Sequence, residues 1–285
     1  MNLKSLRAYA RLMRLHKPVG IFLLLWPTLM ALWIAGQGRP SAKIVLIFVL
    51  GVISMRSAGC VVNDLVDQQF DTHVQRTRNR PLVNGELSRY QAMGLLAVLL
   101  LVSLGLVLGL NRLSIQWSFA ALALALIYPF MKRYTHWPQV VLGAAFGMSI
   151  PMAFAALNDQ VPAIAGWLYG MTILWTIIFD TEYAMVDSFD DRLIGLKSTA
   201  ILFGSWDRFI IGLLQLFVAG ILLKIGLLLQ AGLFYYLGLS IAMMLFVYQQ
   251  RLIRDRDPAQ CFKAFNNNGW VGAVLFAGLA IELLR

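Results

Sequence analysis

The chain has 285 residues, of which 59% are hydrophobic and only 13% are charged, and its net charge is +10. Soluble domains contain about 25% charged residues, so this composition excludes an ordinary soluble protein and indicates an integral membrane protein. No nucleic-acid motif accompanies the positive charge, so we expect no nucleic-acid partner. Cys60 and Cys261 lack the spacing of a disulfide framework or a metal site, and the loop histidines His73 and His136 are expected to be solvated.

Nine hydrophobic segments follow one another along the chain and predict an all-α, polytopic membrane protein. They lie near residues 18–37, 43–66, 89–110, 113–131, 138–157, 161–181, 207–229, 231–250 and 266–284. Each has about the 20 residues that an α-helix needs to cross a bilayer. The first segment is not a signal peptide, because eight more apolar segments follow it. No stretch remains for a soluble domain, so we expect residues 1–285 to form a single membrane domain.

The basic residues predict how these segments are oriented. Most of the 24 Lys and Arg residues lie before the first segment or in the connections after the second, fourth, sixth and eighth segments. The connections on the other side contain only Arg39, Lys43 and Arg112, with Arg285 at the end. Positive charge accumulates on the cytoplasmic side of membrane proteins. The amino terminus is therefore predicted to be cytoplasmic and the carboxyl terminus to lie outside.

Two acidic clusters lie at the cytoplasmic ends of the second and sixth segments. They are residues 63–71 (NDLVDQQFD) and residues 180–191 (DTEYAMVDSFDD), and together they contain more than half of the 14 acidic residues. On helices, the spacing within each cluster places several side chains on one face. In the first cluster these are Asn63, Asp64, Asp67 and Asp71, and in the second they are Asp180, Tyr183, Asp187 and Asp191.

Carboxylates beside hydrocarbon are costly and repel one another unless a cation lies between them. Ligand sets made only of oxygen favour Mg²⁺, Mn²⁺ or Ca²⁺ over zinc or copper. Mg²⁺ usually takes one or two carboxylates together with substrate phosphates. The two clusters therefore suggest facing walls around a diphosphate, and the alternative is a solvated loop surface.

Basic and phenolic side chains near the same face suggest phosphate contacts. Arg76, Arg78 and Arg80 alternate after the second segment, and Tyr128 and Lys132 lie one turn apart at the end of the fourth. Guanidinium groups bind phosphate oxygens bidentately, and lysine acts as a point charge. Cytoplasmic connections are basic in any case, so for each arginine both interpretations stay open.

These motifs make the chain resemble the UbiA superfamily of membrane prenyltransferases. The signatures Asn-Asp-x-x-Asp-x-x-x-Asp, Asp-x-x-x-Asp and Tyr-x-x-x-Lys correspond to residues 63–71, 187–191 and 128–132. The closer likeness is to the 4-hydroxybenzoate polyprenyltransferases of bacterial ubiquinone biosynthesis, and it lies in residues 14–20, 23–28, 183–187, 190–191 and 195–204, the last of which include Lys197. Ser188 and Phe189 depart from the charged residues that members often carry there, without interrupting the motif.

The resemblance implies nine helices around a central cavity with a lateral opening for a lipid tail, in the bacterial inner membrane. It implies transfer of a polyprenyl group from polyprenyl diphosphate to 4-hydroxybenzoate, ortho to the hydroxyl, with release of diphosphate and dependence on Mg²⁺. The implied catalytic and metal-binding residues are Asp64, Asp67, Asp71, Asp187 and Asp191. The implied substrate-binding residues are Arg14, Arg56, Asn63, Arg78, Arg80, Tyr128, Lys132, Tyr183 and Lys197. No obligate protein partner is inferred.

Other functions remain as alternatives. Another aromatic acceptor, such as a dihydroxynaphthoate or homogentisate, would use the same motifs. A cation-coupled transporter would place its binding residues near the bilayer midplane, whereas these aspartates cluster at one face. A structural membrane subunit would not need two aspartate-rich walls. The acceptor carboxylate would need a basic partner, for which Arg14 and Arg56 are candidates. Arg56 is equally well interpreted as an internal ion pair that orients the aspartates.

Overall fold

The computed structural model describes residues 3–72 and 77–285, apart from the side chains of Leu3 and Phe70. His73 and Arg76 lie outside the described residues. Every regular element in this part of the chain is a helix. In chain order the helices are α1 (Leu3–Leu12), α2 (Val19–Ala35), α3 (Ala42–Asp71), α4 (Arg89–Val107), α5 (Arg112–Tyr134), α6 (Pro138–Gly147), α7 (Ser149–Asn158), α8 (Ala163–Leu193), α9 (Thr199–Phe203), α10 (Asp207–Leu228), α11 (Leu233–Leu252) and α12 (Pro258–Leu283).

The described helices form a multi-pass membrane protein. Seven helices or consecutive helix pairs within the described ranges are long and apolar enough to cross a bilayer, namely α3, α4, α5, α6–α7, α8, α9–α10 and α11. Each of the nine predicted segments coincides with one of these, with α2 or with α12. The apolar helix α2 is shorter, with 17 residues. In α12, the three consecutive asparagines 266–268 interrupt the apolar sequence.

The two helices that carry the acidic clusters extend beyond the predicted apolar segments. The hydrophobic pattern ends near residues 66 and 181, but α3 continues to Asp71 and α8 continues to Leu193. At the rise of an α-helix, the 31 residues of α8 span about 46 Å, compared with about 30 Å of bilayer hydrocarbon. The carboxylates therefore stand on rigid helical extensions at one end of the bundle, rather than on loops.

The segment predicted at 138–157 is broken into α6 and α7 at Met148. Pro151 explains the break, because it has no amide hydrogen and its ring crowds the carbonyl of the residue four positions earlier. Thr28 of α2 donates a hydrogen bond of 2.7 Å to the Ser149 hydroxyl and so ties the start of α7 to α2.

The main hydrophobic core surrounds α8, which packs against α6, α10 and α12. Trp175, Met171 and Ile178 of α8 lie in this core, each at most 1% exposed. Helices α11 and α12 approach closely where two glycines face each other, since a methyl group at Gly238 would lie 3.2 Å from the Cα of Gly278. Such small-residue contacts are typical of helix packing in membranes.

A second core cluster fixes the amino-terminal helix near the acidic end of α3. Ala8 and Leu12 of α1 pack with Val61 of α3 and with Leu82. After α1 the chain turns at Arg14, whose backbone adopts a left-handed conformation with φ of 59°. This turn directs the side chain of Arg14 towards α3.

Candidate active site

The structure brings the two acidic clusters together around one polar pocket of about 150 Å³. Helix α3 contributes Asn63, Asp67 and Asp71, and helix α8 contributes Asp180, Tyr183, Asp187 and Asp191. Two residues from the end of α5, Tyr128 and Lys132, complete one side, and Arg80 and Lys197 come from the connections after α3 and α8. Acidic and basic side chains from three helices and two connections thus line the same small space.

The three aspartates of α3 are almost fully buried, with Asp64 and Asp67 1% exposed and Asp71 6% exposed. Buried carboxylates require a cationic or hydrogen-bonding partner. Lys132 forms an ion pair with Asp67 across 65 residues of sequence. Arg80 forms ion pairs with both Asp64 and Asp71, at 3.1 Å in the first case. Internal cations therefore already compensate the charge of this wall.

Arg14 is the second partner of Asp64, to which its Nη2 atom donates a hydrogen bond of 2.5 Å. Burial alone would lower the pKa of Arg14, but Asp64, with smaller contributions from Cys60 and Tyr183, raises that pKa above its usual value. For Asp71, burial raises the pKa of the carboxyl group, and the neighbouring Arg80 opposes that shift. Arg14 therefore stays cationic beside the aspartates at any ordinary pH.

Within residues 3–72 and 77–285, two carboxylate oxygens of this wall have no hydrogen-bond partner. They are Oδ2 of Asp64 and Oδ1 of Asp67, and both are buried. Buried polar atoms are rarely left unsatisfied, so these oxygens suit an additional cation. Among the described residues, no three His, Cys, Asp or Glu side chains converge into a metal-binding group. This donor set suits Mg²⁺ that retains waters and arrives with a phosphate ligand, rather than a cation held by protein atoms alone.

The wall formed by α8 is more open to solvent than the wall formed by α3. Asp187 and Asp191 are partly exposed and line the pocket opposite Asp67. Lys197 follows α8, and its amide nitrogen donates to the carbonyl of Lys132 at 2.9 Å. Its ammonium group donates to the carbonyl of Tyr134 at 3.2 Å. The connection after α8 is thereby fastened to the end of α5.

A larger cavity of about 590 Å³ adjoins the polar pocket. The two share Asn63, Arg80, Tyr128, Asp180 and Tyr183 in their linings. Away from that junction the cavity is mainly apolar, and its lining there includes Leu100, Leu104, Phe119, Leu122, Phe146 and Met152. A charged head and a long hydrocarbon tail would thus find adjoining compartments.

Arg14 and Arg56 lie in the lining of the large cavity, near its polar end. Nη1 of Arg56 donates to Sγ of Cys60 at 2.6 Å. Helix α12 adds aromatic side chains to the same region, where the rings of Tyr183 and Phe265 are 4.8 Å apart. The ammonium group of Lys17 lies 5.8 Å from the centre of the Phe262 ring.

Most of the predicted site residues line one of the two spaces, but two do not. Asp64 lies beneath the pocket wall, paired with Arg14 and Arg80. Arg78 is exposed and lines neither space. Conversely, Asp180 and Gln139 line the pocket although they were not among the predicted site residues. The helical spacing of α8 had placed Asp180 on the same face as Asp187 and Asp191 without giving it a role, whereas Gln139 is a single neutral residue with no signal in the sequence.

Comparison with known protein families gives a match over most of the chain. The UbiA prenyltransferase family matches residues 24–276. A 4-hydroxybenzoate octaprenyltransferase from Nitrosococcus oceani is 58% identical over 276 residues, which cover 97% of each chain. Proteins of the same name from Alkalilimnicola ehrlichii and Coxiella burnetii are 55% identical over 96% of this chain, and 94% and 95% of their own lengths are covered.

Solved structures share the fold at low sequence identity. An apo UbiA homologue from Aeropyrum pernix K1 has a TM-score of 0.80 and 22% identity, covering 92% of this chain and 97% of that chain. A UbiA homologue from Archaeoglobus fulgidus bound to GPP and Mg²⁺ has a TM-score of 0.71 and 18% identity, covering 98% and 100% of the two chains.

Proposed function

The chain belongs to the UbiA prenyltransferase family, and we propose that it transfers a polyprenyl group from polyprenyl diphosphate to 4-hydroxybenzoate in ubiquinone biosynthesis. The relatives that are 55–58% identical over nearly their whole length carry the name of that activity. In the reaction, the allylic C–O bond to diphosphate breaks and a C–C bond forms ortho to the acceptor hydroxyl. The ring then loses a proton, and diphosphate is released.

One observation carries this proposal, namely that the acidic pocket and the large apolar cavity adjoin and share five lining residues. Polyprenyl diphosphate has a strongly anionic head and a hydrocarbon tail, and the two spaces match those parts in chemistry. A cation-coupled transporter would have no use for a 590 Å³ apolar cavity beside its charged site. A buried apolar space also excludes water, which protects a reactive allylic cation from hydrolysis.

The proposed metal ligands are Asp64, Asp67, Asp71, Asp187 and Asp191, and the two unsatisfied oxygens on α3 support this assignment. Mg²⁺, when bound, would neutralise the charge of the diphosphate leaving group.

The phosphate oxygens themselves would be held by protein cations. Lys132 and Arg80 already reach the pocket and would exchange an aspartate partner for a phosphate oxygen. Tyr128 and Asn63 would donate hydrogen bonds to the same group, and Lys197 would approach it from the connection after α8. Arg78 is proposed as an outer contact at the entrance, because it is exposed.

The acceptor is proposed to lie at the junction of the two spaces, beside Tyr183. Arg14 and Arg56 line the large cavity there and are the candidate partners of its carboxylate. Arg14 already pairs with Asp64, which favours Arg56 for this role. The ring would then lie between the arginine and the end of the prenyl chain.

We further propose nine membrane-spanning segments around this cavity, formed by the seven candidate spans together with α2 and α12. An odd number places the two termini on opposite sides. The basic residues of α1 and of the connections near the acidic pocket favour a cytoplasmic amino terminus in the bacterial inner membrane. Reporter fusions at Arg285 and in the connection after α4 test this: an external carboxyl terminus is expected, and a cytoplasmic one would contradict the nine-span topology.

The proposed activity is tested with native membranes, labelled polyprenyl diphosphate and an equimolar mixture of 4-hydroxybenzoate, a dihydroxynaphthoate and homogentisate. We expect one lipid product, whose mass corresponds to prenylated 4-hydroxybenzoate and which is lost when Mg²⁺ is chelated. A product from another acceptor would show that 4-hydroxybenzoate is not the substrate. The absence of any lipid product would refute the proposed prenyltransferase activity.

A further inference from the structure

Arg56 differs from Arg14, Arg80 and Lys132, because within the described residues no carboxylate lies at ion-pair distance from it and Asp180 attracts it only from farther away. Arg14, Arg80 and Lys132 each form an ion pair with an aspartate of α3. Within residues 3–72 and 77–285, no ion pair includes Arg56, and its Nε atom is buried with no hydrogen-bond partner. A partly buried guanidinium without a direct ion pair is costly, and an anionic ligand in contact with it would lower that cost.

Gly20 makes room for this guanidinium group. It lies in the first turn of α2 and lines the same cavity as Arg56. A methyl group at Gly20 would lie 2.5 Å from Nη2 and 2.6 Å from Nε of Arg56. Carbon atoms cannot approach so closely, so any larger residue at this position would displace the guanidinium. The displaced atoms are the end of a flexible side chain, so the fold itself need not change.

Cys60 holds the other side of the same group. It lies one helical turn after Arg56 on α3, is only 4% exposed and accepts a hydrogen bond from Nη1 at 2.6 Å. The guanidinium is thus confined between the backbone of α2 and the thiol of α3. A preorganised arginine loses little side-chain entropy when it binds a planar carboxylate.

We propose that Gly20 and Cys60 are positioning residues that hold Arg56 as the receptor for the carboxylate of an aromatic acceptor. This proposal rests on the proposed function and identifies what selects a benzoate over an uncharged phenol. The aromatic rings of Tyr183, Phe262 and Phe265 in the same cavity provide an apolar surface for the acceptor ring.

The test compares Gly20→Ala and Cys60→Ala with the wild-type protein and with Gly94→Ala. Gly94 is a matched control because it lies within helix α4 and a methyl group there would meet no atom within 4 Å. Purified protein is assayed with 4-hydroxybenzoate and with uncharged 4-hydroxybenzamide. For Gly20→Ala we expect the KM for 4-hydroxybenzoate to rise by about 10-fold or more, the size of effect when a charge-assisted contact is lost.

The same variant should keep the KM for prenyl diphosphate, the melting temperature and the KM for 4-hydroxybenzamide. Cys60→Ala should raise the acceptor KM in the same selective way, and Cys60→Ser, which keeps a hydrogen-bond acceptor, should largely restore it. In an Arg56→Ala background, Gly20→Ala should have no further effect on the acceptor KM, because it acts through the arginine.

The outcomes separate the two proposals. An unchanged acceptor KM in Gly20→Ala, with normal turnover of 4-hydroxybenzoate by the wild-type protein, would overturn the positioning role alone. A similar KM increase for the amide acceptor, or a persisting effect in the Arg56→Ala background, would also overturn it. If the wild-type protein forms no product from 4-hydroxybenzoate, the proposed function fails and the carboxylate assignment fails with it.

Discussion

Replacement of Lys132 by methionine tests whether the ammonium group of Lys132 occupies, beside Asp67, the place that a metal ion takes when prenyl diphosphate binds. Lys132 pairs with Asp67, and their side chains are 24% and 1% exposed. Breaking a buried ion pair costs about 3–5 kcal/mol, and the partial exposure of Lys132 reduces that cost to about 1–3 kcal/mol. The melting temperature should therefore fall moderately, without loss of folding.

Binding of the two substrates should change unequally in Lys132→Met. A hydrogen bond to a charged group contributes about 1.5–3 kcal/mol, so the KM for prenyl diphosphate should rise by about 10- to 100-fold. The KM for 4-hydroxybenzoate should stay near its wild-type value. Asp67, freed from its partner, should bind Mn²⁺ more tightly when no diphosphate is present, as measured by electron paramagnetic resonance.

Lys224→Met is the matched control, because Lys224 is exposed on α10 and lines neither space. It should leave both KM values and the affinity for Mn²⁺ unchanged. Equal losses of affinity for the two substrates in Lys132→Met would indicate a folding defect. An unchanged affinity for Mn²⁺ would refute the view that the ammonium group of Lys132 occupies the place of a metal ion beside Asp67.

Five further substitutions have distinct expected outcomes. Asp191→Asn should lower kcat by at least about 100-fold, the loss expected when one transition-state electrostatic group is removed. Asp190→Asn should lower kcat less in the same turnover assay. Arg56→Gln should raise the KM for the acceptor, measured at saturating prenyl diphosphate. If that KM is unchanged and the dependence of turnover on Mg²⁺ is altered, Arg56 acts on the metal-binding aspartates instead. The same two outcomes decide the role of Arg14 in Arg14→Gln. Gly238→Ala places a methyl group 2.7 Å from the backbone oxygen of Val274, so a loss of about 1–3 kcal/mol from overpacking should appear as a lower melting temperature with unchanged KM values.

The sequence was sufficient to predict which side chains share a face within one helix. The spacing of Asn63, Asp67 and Asp71 fixes their common direction once α3 is helical, and α8 follows the same rule from Asp180 to Asp191. The hydrophobic pattern also predicted the positions of the seven helices or helix pairs that are long and apolar enough, among the described residues, to cross a bilayer. It did not predict that α3 and α8 continue as helices through the polar residues, because apolar periodicity ends where the bilayer ends.

Contacts between distant parts of the chain could not be predicted in this way. Arg14 and Asp64 are 50 residues apart, and their pairing depends on the left-handed turn after α1 and on the packing of α1 against α3. The close approach of Gly20 to Arg56 depends in turn on how α2 crosses α3. Helical spacing contains no information on such crossings, so the sequence left the roles of Arg14 and Arg56 open.

The central claim is that the aspartates of α3 and α8 act as one site for a cation-bound prenyl diphosphate. The most direct measurement is calorimetric binding of farnesyl thiodiphosphate, an unreactive analogue, to the wild-type protein and to Asp67→Asn and Asp187→Asn, with and without Mg²⁺. We predict that wild-type protein binds the analogue tightly only when Mg²⁺ is present, and that either substitution weakens binding by about 10-fold or more. Mg²⁺-independent binding, or binding that is insensitive to Asp187→Asn, would contradict the account.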